Sequence, residues 1–166
     1  MISYEIALGL SILPVIMTAS SVHLQDIVMD QTSSGVLPDW LAWNVFRHPV
    51  MAVAFVVAAF AETNRLPFDL PESESELVGG YHTEYSGMKF GLFFLGEYVA
   101  MMTMCGLTVT LFLGGWTLPG LAVPDDPSGW FILGSVGIFM AKFTAMILLF
   151  LWTRWTLPRF RYDQLM

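Results

Sequence analysis

The residues best suited to chemistry are carboxylates, and most of them are gathered in one place. Residues 62–89 hold five of the seven glutamates (Glu62, Glu72, Glu74, Glu76 and Glu84), together with Asp69, Arg65, Lys89 and His82. Clustered carboxylates can take up protons, pass them on, or respond to a charge that changes nearby. The simpler reading of the acidic run 72–76 is a solvated helix face. An ordinary connection needs only a turn, whereas this stretch is long and shaped by Pro67, Pro71, Gly79, Gly80 and Gly87. Long loops in compact proteins tend to carry function, so this one is expected to be the working surface.

Four ionisable groups, Glu62 again among them, lie within or beside apolar runs: Glu5, Glu62, Glu97 and Lys142. Counted from the ends of the apolar segments at about 1.5 Å per residue, Glu97 lies roughly 14 Å and Lys142 roughly 17 Å below one surface. A charge at the centre of a bilayer costs about 2.5–3.5 kcal/mol even on the gentlest scales, so such residues normally face a bundle interior. Two readings follow for Glu97 and Lys142. One is a proton relay, because a desolvated carboxyl can exchange its proton near neutral pH. The other is an ion pair that fixes helix order. Glu5 and Glu62 sit at the boundary, where plain solvation is the simpler account.

Other chemistries are excluded or given ordinary roles. The single Cys105 lies in an apolar run and rules out an internal disulfide or an all-cysteine iron–sulfur site. His23, His48 and His82 fall in connections or near helix ends, which argues against a haem held between membrane histidines. Met101, Met102 and Met104 read as adaptable packing, and Phe93, Phe94 and Tyr98 as packing or interfacial residues. No phosphate loop, dinucleotide fingerprint or nucleophile elbow is present. A formal net charge of −7, carried mostly by connections, disfavours nucleic acid as a partner.

The elements that must position these groups are membrane helices. Of the 166 residues 55% are hydrophobic and 13% charged, against about a quarter charged in soluble domains. No secretory signal pattern precedes the first apolar run, which is expected to stay in place as a span. Judged against the roughly 20 residues a crossing helix needs, spans are expected at 3–22, 40–61, 88–114 and 130–153. The first contains Pro14, an expected kink that neighbouring helices must accommodate, and the second is short in strictly apolar residues. The expected fold is a single all-α membrane domain with about four transmembrane helices and a structured acidic loop over 62–89. Within that loop Pro71 suits a first helical position and Gly79-Gly80 a stop, and Ser86 is a candidate cap for the third span. Arg65, Lys89, Arg154, Arg159 and Arg161 fall on one side and Arg47 on the other, which puts the long loop and the C-terminus on the cytoplasmic or matrix side. Trp40, Trp43, Trp116, Trp130, Trp152 and Trp155 all lie near span ends, as an aromatic belt requires.

The stretch AETNRLPFDLPESESELVGGYHTEYSGMKFGLFFLGEY, residues 61–98, resembles the H-type membrane subunit of respiratory complex I, the proton-translocating NADH:quinone oxidoreductase. Ser3-Tyr4-Glu5 and the closing run from Leu157 to Gln164 resemble two further motifs of that subunit, in the same order. The resemblance spans nearly the whole chain. It implies a subunit at the junction of the membrane and peripheral arms, helping to form a quinone chamber and to link quinone reduction to proton movement. Glu62, Arg65, Phe68, Asp69, Glu72, Glu74, Glu76 and Glu84 then correspond to the chamber-facing loop. Glu5, Glu62 and Glu97 resemble acidic residues of a proton path, to which Lys142 is added for its expected depth. Arg154, Arg159, Arg161 and Asp163 resemble the segment that contacts the peripheral arm.

The resemblance also implies that this chain binds no cofactor and holds no complete active site. Quinone is the substrate, while FMN and iron–sulfur clusters belong to partner subunits. Expected partners are the quinone-site and terminal-cluster subunits of the peripheral arm, other membrane-arm subunits and the lipid bilayer. The expected location is a bacterial plasma membrane or a mitochondrial inner membrane. The chain departs from the family in length: it corresponds to a central-to-C-terminal portion, without counterparts of the first three helices and the last. Two alternatives stand beside this reading, the corresponding subunit of a related membrane-bound hydrogenase and a fragment with a scaffolding role.

Overall fold

A computed structural model describes residues 2–32, 41–63, 68, 85–119 and 128–158. Among these the chain is helical, with six elements: α1 (Ile2–Ala19), α2 (Leu24–Asp30), α3 (Asn44–Arg47), α4 (Pro49–Glu62), α5 (Met88–Phe112) and α6 (Gly129–Thr156). Two of them, α5 and α6, are each long and apolar enough to cross a membrane, and α1 with α2 makes a third candidate if the bent pair counts as one span.

Long apolar runs become helices in a membrane because every backbone N–H and C=O must find a partner within the segment. The hydroxyls embedded in these runs follow the same rule. Thr103, Thr108 and Thr110 of α5 and Thr144, Thr153 and Thr156 of α6 each donate to the carbonyl four residues earlier. Polar side chains are thus accommodated without a break in either helix.

The first expected span bends at its end. The axes of α1 and α2 differ by 66° across the break after Ala19, where Ser20 takes a positive φ of 52°. Pro14 sits inside α1 without ending it. The bend falls at Ser20–His23, where the Ser21 hydroxyl donates to Asp26 at 2.6 Å and accepts the His23 N–H at 3.1 Å.

The second expected span is also different. In place of a continuous helix over 40–61 there is the single turn α3, then α4 of 14 residues, about 21 Å long. The interruption is at His48 (φ −131°, ψ 62°), because a residue before proline avoids the helical region while Pro49 suits the first position of a new helix. Ser86 does not cap the third span. Gly87 occupies that position with φ +61° and no side-chain cap, and its carbonyl accepts the Gly91 N–H.

Two apolar clusters hold the helices together. Ala59 and Phe60 of α4 meet Met101, Cys105 and Val109 of α5 and Met146 and Phe150 of α6, with the Phe60 and Phe150 rings stacked at 3.9 Å. Val15 of α1, Ile27 of α2, Ala52 and Phe55 of α4, and Leu111 and Phe112 of α5 form the second, in which the Phe55 and Phe112 rings lie 5.3 Å apart. Along α6 only Met146 and Phe150 are buried, and most of the other apolar side chains face outward. Outward-facing Leu, Val and Ile on a helix of this length are what a lipid solvent accepts. The pairings α1 with α4, α4 with α5 and α5 with α6 bring the start of α1, the end of α4, the start of α5 and the end of α6 to one end of the bundle.

Candidate functional site

The end of the bundle just defined carries the described acidic residues of interest. Glu5 lies exposed in the first turn of α1, where a carboxylate is favoured by the helix dipole. Glu62 ends α4 and is half-buried; its Oε2 is buried and accepts no hydrogen bond among the described residues. Thr63 follows, buried, with its hydroxyl donating to Ala59 O at 2.8 Å. Phe68 packs against Tyr4 with ring centroids 6.4 Å apart and also leans on the cluster around Phe60. A loop residue therefore joins the start of α1 to the end of α4.

Glu97 is half-buried on α5. Gly106 of α5 faces the Phe143 ring of α6, 3.9 Å from where a Cβ would stand. Counting nine residues along this antiparallel pair puts Glu97 level with Trp152, two residues before Arg154 in the last turn of α6. Trp152 and Trp155 are 74% and 85% exposed, which fits an interfacial belt at that level. Glu97 thus belongs with Glu5, Glu62 and Arg154 at one end of the bundle.

Lys142 does not. Its ammonium donates to the carbonyls of Leu113 (2.7 Å), Gly115 (3.1 Å) and Thr117 (2.5 Å), beyond the C-terminal end of α5. Sixteen residues of α5 separate Glu97 from Leu113, an axial distance of about 24 Å. The similar depth expected for Glu97 and Lys142 fails because it counted both helices from one plane. In fact α5 starts beyond the end of α6, and the segment after Phe112 folds back against α6.

Arg65, Asp69, Glu72, Glu74, Glu76 and Glu84, as well as Arg159, Arg161 and Asp163, lie outside the described residues, as does the expected helix starting at Pro71. Among the described residues no three of His, Cys, Asp and Glu converge as a metal site would need. The polar group that sequence reasoning missed is at the opposite end. Gln31 and Asn44, both essentially buried, reach the last carbonyls of α5. Gln31 falls in the connection after the first expected span, and Asn44 falls inside the second expected span, 40–61. The only signal was a neutral amide beside an apolar run.

These features define an integral membrane protein that is all-α among the described residues, with Glu5, Glu62 and Glu97 at one end of the bundle. The family described as NADH dehydrogenase matches residues 1–166, and the chain belongs to it. It is 49% identical over 172 residues to NADH-quinone oxidoreductase subunit 8 of Rhodothermus marinus, covering 100% of this chain and 50% of that protein. It is 47% identical over 172 residues to the H-type NADH-quinone oxidoreductase subunit of Salinibacter ruber, covering 100% of this chain and 49% of the relative. The H-type subunit of Rhodospirillum rubrum is 50% identical over 166 residues, again all of this chain and 46% of the relative. The chain spans about half the length of these curated relatives.

Proposed function

We propose that this chain works as the corresponding part of the H-type membrane subunit of a proton-translocating NADH:quinone oxidoreductase. The observation that carries the reading is the match of the whole chain, at close to half identity, to relatives bearing that subunit's name. The same names favour the quinone enzyme over the hydrogenase alternative.

In this reading residues 62–89 line part of a quinone chamber closed by peripheral-arm subunits, which hold the FMN and iron–sulfur clusters. The loop and the C-terminus face the cytoplasm or matrix. Reduction of a quinone to a quinol takes two electrons from a partner's cluster and two protons, and when carboxyls of the chamber supply those protons the chamber is left more negative until they are replaced. Glu62, Arg65, Phe68, Asp69, Glu72, Glu74, Glu76 and Glu84 are the residues proposed to feel that change. Glu5, Glu62 and Glu97 are proposed to carry it toward the membrane interior, a role supported by their grouping at one end of the bundle. The basic tail of Arg154, Arg159 and Arg161, with Asp163, is proposed to dock on the peripheral arm.

The test is to tag the chain in its native membrane, extract it gently and identify what copurifies. Flavin- and iron–sulfur-containing NADH dehydrogenase subunits are the expected partners. Hydrogenase subunits, or the chain alone, would overturn the assignment.

A further inference from the structure

Lys142 sits near the middle of α6, where an unpaired ammonium in lipid would be costly. An ammonium has three N–H donors and no acceptor, and all three are engaged by the carbonyls of Leu113, Gly115 and Thr117. The fourth side is closed by the Trp43 ring, whose centroid is 4.4 Å from Nζ, within cation–π range. The first of these carbonyls is among those an α-helix leaves unsatisfied at its C-terminus, where the dipole favours a cation.

The cradle is built by residues other than the lysine. Gly114 (φ +70°) and Gly115 (φ +53°) turn the chain so that alternate carbonyls point to one spot. A Cβ at Gly114 would lie 2.7 Å from Trp43 Nε1, and one at Gly115 would lie 2.9 Å from Val28. Neither position has room for a side chain, apart from the strain of its φ. Gln31 Oε1 accepts the Gly114 N–H at 2.9 Å and the Asn44 N–H at 3.3 Å. Gln31 Nε2 donates to Thr110 O at 3.1 Å, and Asn44 Nδ2 donates to Leu111 O at 2.9 Å. The Thr117 hydroxyl closes the turn on Gly114 O at 2.8 Å. Amides from two separate connections thus hold the loop in shape, with none of these bonds involving Lys142.

We propose that residues 113–117 and Trp43 form a receptor for a primary ammonium ion, and that Lys142 is its tethered ligand. The ammonium locks the end of α5 to the middle of α6. It is a positioning residue for α5, the helix that carries Glu97. An apolar groove of about 580 Å³, lined by Thr110, Trp116, Phe131, Ser135, Phe139 and Met140, runs along α6 beside this loop. Phe139 and Lys142 are one turn apart on the same face of α6, so the groove offers a route for a free alkylammonium.

The test is chemical rescue in the complete native membrane assembly, read as thermal stability, which requires no quinone or proton assay. Its failure is therefore distinguishable from failure of the functional assignment. Lys142→Ala should lower the melting midpoint of the assembly by several degrees, and n-butylammonium should restore most of the loss. Neutral n-butanol and tetramethylammonium, which lacks N–H groups, should not. Gly114→Ala, which spoils the cradle and keeps the lysine, should be destabilised and not rescued. If Lys142→Ala does not accumulate, Lys142→Ser, which also leaves the space open, solubilised with n-butylammonium should recover assembly. An unaltered midpoint in Lys142→Ala, rescue by n-butanol or tetramethylammonium, or no recovery of either variant with n-butylammonium would overturn the proposal.

Discussion

The two ends of this bundle solve opposite problems. At the end of α5, every donor of Lys142 is matched to a carbonyl, and Gln31 and Asn44 serve further backbone groups. At the other end Glu62 keeps a buried Oε2 that accepts no hydrogen bond among the described residues, and Glu5 stands exposed. The Lys142 ammonium is held on all three donors, although Asn44 Oδ1 and Trp43 Nε1 beside it are buried and, like Glu62 Oε2, have no hydrogen-bond partner among the described residues. The contrast teaches that polar residues in a membrane bundle must be sorted by what they already hold. Charge and depth alone put Lys142 and Glu97 together, and the hydrogen bonds of Lys142 separate them.

If that division is right, losses of stability at the Lys142 end should be graded by how much each side chain holds. The largest loss of stability is expected from Lys142→Ala, which leaves three carbonyls beyond the end of α5 without their donor. About 3 kcal/mol is expected, read as a fall in the denaturation midpoint of the purified assembly. Asn44→Ala removes the donor to Leu111 O and should cost about 1–2 kcal/mol by the same measurement. Arg47→Met breaks the half-buried ion pair with Asp30, in which the side chains are 15% and 32% exposed, and should cost about 1 kcal/mol, less at high salt. Equal losses at all three positions would erase the distinction between a built network and a single ion pair.

The long apolar helices were legible because length and hydropathy alone specify a crossing segment, and α5 and α6 lie within a few residues of expectation. The interrupted segments were harder. Pro14 lies inside α1 without ending it, the 66° bend that breaks the first span comes at Ser20–His23, and Pro49 was counted inside a span that it restarts. In both cases composition recorded an apolar run, while the backbone path depended on one or two residues beside it. Glu5, Glu62 and Glu97 were legible as acids near one boundary, since their positions follow from counting along single helices. The partners of Lys142 were not. They are backbone carbonyls, which every sequence contains, and only the fold-back at Gly114-Gly115 brings them together. Gln31 and Asn44 escaped for the same reason, as their targets lie 67 to 83 residues away along the chain.

The central claim is that the acidic end carries coupling while the opposite end carries structure. Its most direct test is Glu97→Gln in the intact membrane assembly, with proton pumping measured alongside NADH:quinone oxidation and subunit content. The expected result is an assembly with the parent's subunit content and NADH:quinone oxidation but reduced pumping. Unchanged pumping in a complete assembly would contradict the claim.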